Sequence, residues 1–377
     1  MSRAWLLLNI LKEAHELDVN TSRREAQLIR YLPIRSRSDE IIRTYRLNEE
    51  LIVELQNELG ALLSSNKRKG LTKRSKILCA LSFLASGSYQ KMLGSNINTF
   101  LSQSSVSRSI NEVVEALNHP SIIKKYLRFP QNISERRVLK ERFYKKNRIP
   151  GVIGCIDGML VAIIRPQENE ERYYCRKGFY ARNVMLVVDA DMNILHADVS
   201  YGGSTCDSFI FNNSIIKTHL VNLTNSGEVV YLLGDSGYSQ LQYVMTPVSD
   251  SNADNTPEAY YNQLHAAACG TVERAIGVLK ARFQCLLVNR VLHYHPESAA
   301  KIIIACCILH NICNHAGLPA PILSEDEVQK ESSLNQSLPN RSSQLDTDFA
   351  LGCNFRQKLI NNLWQNRNNH LAKEIIS

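Results

Sequence analysis

Apolar positions recur at helical spacing through the first 150 residues of the chain and change to strand-like runs from residue 152 onward. Residues 1–64 read as helical, with Leu51, Leu55, Leu59 and Leu62 as a core stripe and an Arg-rich connector at Arg23, Arg24, Arg30, Arg35 and Arg37. Within 65–150, Ile77, Leu78, Leu81 and Leu84 mark a helix stopped by Ser86-Gly87-Ser88, and Tyr89–Leu93 begins another. A third helix, capped by Ser102 or Ser104, buries Val106, Ile110, Val113 and Leu117. Its opposite face offers Ser105, Arg108, Ser109 and Glu112, the arrangement of a helix-turn-helix.

From Val152 the pattern is β-like. VIGCIDGMLVAII reads as a buried strand, or a tight pair of strands turning at Asp157-Gly158. NVMLVVDADMNILHADV reads as a hairpin around an Asp-Met-Asn turn, and a helix follows from Ser204–Asp207 through Phe209, Ile210 and Ile215. EVVYLLGDSGY is a strand ending at Asp235. A helix from about Thr271 buries Val272, Ala275, Ile276, Leu279, Phe283 and Leu286, and AAKIIIACCILHNIC is a helix apolar almost all round. Residues 322–377 read as a flexible linker rich in Ser, Asn, Gln and Asp, then a short helix around Leu359–Trp364. The expected organisation is therefore 1–64, 65–150, 151–321 and 322–377: two helical regions, an α/β domain and a tail.

Charge sharpens this division. Residues 1–150 carry 27 Lys and Arg against 14 Asp and Glu, whereas the remainder carries 17 against 22. A basic front on a slightly acidic back suits a polyanion-binding module joined to a site that handles cations. Lys67, Arg68, Lys69, Lys73, Arg74 and Lys76 form a candidate nuclear-import or phosphate-contact run. RRVLKERFYKKNR at 136–148 adds Arg136, Arg137, Lys145 and Lys146 as candidate DNA contacts beside Ser105, Arg108 and Ser109. The ten cysteines show no disulfide spacing, which fits reduced thiols in the nucleus or cytoplasm. No run of about 18 apolar residues marks a membrane span.

Candidate chemistry rests on acids at strand ends. Asp157 and Asp235 follow buried strands, and Glu273 is expected in the first turn of a helix, with Gly277 allowing close approach one turn on. Each has a plain structural reading as a turn or helix-start residue. Converging carboxylates repel, and Mg²⁺ or Mn²⁺ relieves that repulsion and supports phosphodiester chemistry. Asp189, Asp198 and Asp207 compete for the same role on spacing alone. Cys306, His310 and Cys313, with His315 nearby, suggest zinc, but so apolar a helix reads better as packed core.

GCIDG, GDSGY, VERAIGVLKARF and CCILHN together resemble the Harbinger-type (PIF/Harbinger) transposases and their transposase-derived nuclease relatives. YYCRKGF, the Gly-Gly-Ser-x-x-Asp207 segment, and FLASGSYQ followed by SSVSR extend the likeness over about residues 75–315. The resemblance implies an RNase H-like mixed sheet flanked by helices. It implies a metal-binding catalytic triad that falls on Asp157, Asp235 and Glu273, the last two 38 positions apart. It also implies double-stranded DNA as substrate and a Myb/SANT-like protein as partner. One departure stands out. HAAACG at 265–270 replaces the family's polar, basic segment, which leaves a DNA-binding scaffold without catalysis as the alternative to a metal-dependent nuclease.

Overall fold

Helical caps organise the front of the chain. In the computed structural model, which describes residues 34–64, 71–87, 102–249, 255–332 and 347–374, the first helices are α1 (Ile34–Tyr45), α2 (Glu49–Leu59), α3 (Lys73–Ser86) and α4 (Gln103–Leu117). Asn48, Thr72 and Ser102 cap α2, α3 and α4, each side chain accepting a backbone N–H of the first turn. Gly87 ends α3 at φ 62°, and its N–H donates to the Phe83 carbonyl. Val106, Ile110, Val113 and Leu117 form the buried stripe of α4 as expected. In α2 the stripe is Ile52, Leu55 and Leu59, with Leu63 beyond it, while Leu62 faces solvent; the expected Leu62 is one position out of phase. The helix expected at Tyr89–Leu93, the N-terminal helix with Arg23, Arg24 and Arg30, and Lys67–Lys69 lie outside the described residues.

After α5 (Pro120–Tyr126) and α6 (Ile133–Asn147) comes β1 (Val152–Ala162), one uninterrupted strand in which Asp157 pairs with Leu186. Asp157-Gly158 is therefore not a turn. β2 (Ala181–Val188) and β3 (Ile194–Gly202) form the expected hairpin. The helix expected after Asp207 is two helices, α7 (Asp207–Asn212) and α8 (Ile215–Asn225), broken where Ser214 caps the second. β4 (Tyr231–Leu233) and β5 (Val244–Met245) complete a sheet of order β3-β2-β1-β4-β5. The first three strands are antiparallel; β4 runs parallel to β1, and β5 to β4. This mixed sheet, with helices on both faces, is the RNase H-like α/β arrangement.

α9 (Pro257–Arg282) starts well before Thr271, at a Thr256 cap followed by Pro257. HAAACG is thus helix interior rather than a lead-in. α10 (Pro296–His315) is long and apolar enough to cross a membrane by composition, but most of it is buried inside the fold. α11 (Glu325–Ser332) occupies part of the expected linker, and α12 (Thr347–Glu374) docks through Leu359, Ile360 and Leu363.

Two cores lie on the two faces of the sheet. Ile153, Ile156, Met185, Val187 and Leu232 pack with α7 and α8. Cys155, Met159, Val161, Val184 and Leu186 pack with α9 and α10, in one continuous cluster that also contains the stripes of α2, α3 and α4. The helical front and the α/β domain thus share a core.

Candidate active site

β1 and β4 pair only as far as Cys155 and Leu233. β4 ends there, and Asp157 and Asp235 stand just past the last paired residues. Asp157 alternates onto the face shared with Cys155 and Met159, the face that α9 covers. α9 is seated there by the Cys155 thiol, which donates to the Ala268 carbonyl at 3.2 Å, and by His265, whose ring meets the Met245 carbonyl at 3.0 Å. Glu273 lies one turn beyond this contact, exposed and in mid-helix. Its expected place in a first turn, favoured by the helix dipole, is therefore corrected. Gly277 has nothing within 4 Å of a hypothetical Cβ, so it leaves open space beside Glu273 rather than a close helix contact.

A further acid, Asp207 at the start of α7, also reaches β1. Its carboxylate covers Gly158, where any Cβ would overlap it. Asn183 fixes it by donating its amide to Asp207 Oδ1 at 2.7 Å and to the Thr205 carbonyl at 2.8 Å. The glycine after Asp157 therefore makes room for a second carboxylate. The other competing acids hold backbone. Asp189 accepts the N–H groups of Asp191 and Asn193 in the β2–β3 turn, and Asp198 accepts that of Ser200.

Burial pushes the Asp157 carboxyl up to about 8; the charges of Asp235, Asp207 and Glu273 add to this, and the Gly158 N–H opposes it. Burial also raises Asp207, with Asp235 adding and the Asn183 amide and Lys177 opposing. Two buried polar atoms next to these acids have no hydrogen-bond partner, the Asn183 amide oxygen and the Tyr238 hydroxyl. Among the described residues no three His, Cys, Asp or Glu side chains stand together as a ready ligand set. In kind, however, the donors fit a hard divalent cation: all are carboxylate oxygens, mutually repelling and partly desolvated.

The candidate DNA contacts lie on α4 and α6. Arg108, Arg137 and Lys145 are exposed, Arg137 paired with Glu141, and Ser105 is half-buried at the cap of α4. Ser109 and Arg136 are interior. Ser109 donates to the Ser105 carbonyl, and Arg136 makes a bidentate pair with Glu228. Lys146 holds Asp191 and the Ala190 carbonyl, pinning the β2–β3 turn. Lys73, Arg74 and Lys76 are also taken up internally, by the Gly60 carbonyl, Glu49 and Glu112. Cys306 and Cys313 are buried free thiols, and His310 donates from Nε2 to the Met192 carbonyl at 2.9 Å, as packed core rather than a zinc site.

A mixed sheet with one acid on β1, a second just after its parallel neighbour β4 and a glutamate on the covering helix α9 is the layout of a DDE-type nuclease domain. Residues 156–311 match the family model described as DDE superfamily endonuclease, a superfamily that generally uses divalent metals. The chain belongs to the Harbinger transposase-derived nucleases within that superfamily. It is 34% identical over 278 residues to "Putative nuclease HARBI1" of Bos taurus, covering 73% of this chain and 77% of that protein. The human protein of the same name is 32% identical with the same coverage. "Protein ALP1-like" of Arabidopsis thaliana is 26% identical over 290 residues, 73% of this chain and 67% of the relative. No solved structure matches the chain significantly.

Proposed function

We propose that the protein is a divalent-metal-dependent DNA nuclease, with Asp157, Asp235 and Glu273 as its acids and Asp207 as a fourth. The observation that carries this reading is Asp157 itself, a mid-strand carboxylate with no ion pair among the described residues, just past the last paired residues of β1 and β4 and next to the glycine that the Asp207 carboxylate covers. A structural buried carboxylate is normally met by a cation or a full set of donors. Here the neighbours make the site worse for a bare carboxylate and better for a cation.

A bound Mg²⁺ or Mn²⁺ supplies Lewis acidity to a phosphodiester oxygen and makes water a competent nucleophile near neutral pH. Asp157 and Asp235 would hold it from the strands, Asp207 from the start of α7 and Glu273 from α9. The gap over Gly277 leaves Glu273 open to an approaching strand. With a 3′-hydroxyl in place of water, the same arrangement would transfer strands. Double-stranded DNA is the substrate on this reading. A Myb/SANT-like partner would supply target choice, in a nuclear protein also present in the cytoplasm.

The test is incubation of the full chain with supercoiled plasmid, with and without Mg²⁺ or Mn²⁺. Wild type should nick or cut the plasmid only with metal. Asp157→Asn should abolish cutting, because a neutral amide is a poor ligand for a hard cation, while DNA binding persists. A wild type that binds DNA but never cuts it would decide for a scaffold, and HAAACG would be the first place to restore a cation. Ala266 and Ala267 are exposed and can accept one; Ala268, packed on Cys155, cannot.

A further inference from the structure

A cluster of carboxylates repels the polyanion it must cut, so a phosphate can settle beside it only if a cation receives it. Several described cations of the basic front are not free for this. Lys76, Lys125, Arg136, Lys140 and Lys146 are all spent on acids of the same chain. Arg176 and Lys177 are exposed and make no ion pair among the described residues. They sit at the tip of a tight turn in the β1–β2 connection. The Cys175 N–H donates to the Phe179 carbonyl, the Gly178 N–H donates to the Cys175 carbonyl, and Gly178 takes φ 84°.

This turn is built onto the acid site. The Arg172 carbonyl accepts both the N–H and the hydroxyl of Ser204, and Ala181 donates its N–H to the Tyr173 carbonyl. Gly202 and Gly203 press so closely on residues 172–175 that a Cβ at 202 would overlap the Arg172 carbonyl, and one at 203 would stand 2.9 Å from the Tyr173 carbonyl. The same Gly-Gly-Ser turn leads directly into Asp207. The YYCRKGF and Gly-Gly-Ser-x-x-Asp segments are therefore one device, which ties the base of the turn to the loop that delivers Asp207. Burial, with Lys280 adding, pulls the Lys177 ammonium down, and the charges of Asp207 and Asp157 favour it. At the root of the turn Tyr174 is half-exposed, with its ring edge-to-face on Tyr180 at 5.2 Å.

We propose that the 174–178 turn is a phosphate clamp in which Lys177 positions the phosphodiester next to the scissile bond and Tyr174 offers its face to the adjoining nucleotide. A lysine suits this role, because its ammonium is a compact charge with three donors on a long stem, able to follow the phosphate as it reacts. An exposed aromatic beside it is the usual partner for an unstacked base. The proposal rests on the nuclease reading for its reaction, but binding tests it separately.

The experiment uses the full chain as wild type, Lys177→Ala, Lys177→Arg and Tyr174→Ala, with a fluorescein-labelled duplex as probe. Anisotropy in EDTA across a salt series gives the slope of log affinity against log salt. Plasmid cleavage in Mn²⁺ gives kcat and KM. Lys177→Ala should lower the salt slope by about one phosphate contact and reduce kcat about tenfold or more. KM should change less than kcat, and Lys177→Arg should recover much of the loss. Tyr174→Ala should weaken binding without changing the slope. Because Lys177 is exposed, its variants should melt with wild type, so a structural defect would show in melting and not in the slope. An unchanged slope and an unchanged kcat in Lys177→Ala would overturn the clamp while leaving the nuclease intact. A wild type that never cuts, but whose slope still drops in Lys177→Ala, would remove the nuclease and keep the clamp; no change in either would remove both.

Discussion

His310 sits in mid-α10 with none of its side chain exposed, and burial, with Arg282 adding, pushes its imidazole down to about 4 although the Met192 carbonyl favours the proton on Nε2. An unfolded histidine takes its proton near pH 6.5. Between about 6.5 and 4 the unfolded chain therefore binds a proton that the folded chain refuses. The resulting stability is complete above pH 6.5 and is lost as pH falls through that window, on the order of 3 kcal/mol in all. Thermal melts from pH 7 to pH 4.5 should show a steeper acid loss in wild type than in His310→Gln. Equal slopes would mean that His310 is not the residue responsible. At this scale, what the sequence reveals depends on whether a residue's partner is local. Asp157 and Asp235 stand out as candidates because an acid within or just past a buried run is conspicuous, but spacing leaves Asp189, Asp198 and Asp207 in competition and only the family resemblance separates them. Arg136 is not, because its partner Glu228 lies 92 positions away. Ser109 is not, because α4 is packed on more than the one face that its apolar stripe declares.

Among the elements, α9 shows how a start signal can be hidden. Thr256-Pro257 is a good helix beginning, but the polar stretch before it and Gly270 within it break the apolar rhythm, which resumes clearly only at Val272. The consequence is chemical, since Glu273 owes its position to the contacts of Ala268 and His265 rather than to a helix terminus. β1 misleads in the opposite direction: Asp-Gly is a turn signal, yet its glycine is required by the Asp207 carboxylate. The glycines leading to Asp207 invite a direct test. Gly202→Ala should force the 172–175 backbone off its seat, because the overlap is with a carbonyl that has no rotamer to escape into. Melting should fall by an amount equivalent to about 1–3 kcal/mol. Plasmid cutting should be lost even at temperatures where the variant is fully folded. Full activity in a folded Gly202→Ala would show that the seating of this loop does not matter to the site.

Across the whole molecule, the continuity of the core counts for more than the charge boundary that the sequence displays so clearly. Residues 65–150 look like a detachable basic module, but the stripes of α3 and α4 belong to the same cluster as β1, α9 and α10. α12 closes the other side. Leu359, Ile360 and Leu363 are buried, Gly352 rests against Leu241, and Arg356 donates to the Thr246 and Pro247 carbonyls beside β5. Deleting residues 347–377 removes those three buried side chains and bares the apolar surface they cover, a loss of roughly 2 kcal/mol for each by transfer. The truncated chain should lose on the order of 5 kcal/mol in urea unfolding. A midpoint indistinguishable from the full chain would show that α12 docks without stabilising. The tail reads as linker because its composition is polar; the few apolar residues that anchor it carry no periodic signal strong enough to announce a long helix.

Near the front of the chain, the Arg46 guanidinium reaches the Arg282 carbonyl 236 positions away, and the Arg46 carbonyl receives the Cys313 thiol 267 positions away. A ribosome adding roughly 5–20 residues per second therefore delivers α2 and α3 on the order of ten seconds to a minute before α10. During that interval the apolar side chains that complete their core have not yet been made. The nascent protein is in this sense a natural client for chaperones, and its yield in a cell should respond to translation speed and chaperone supply more than its finished stability suggests.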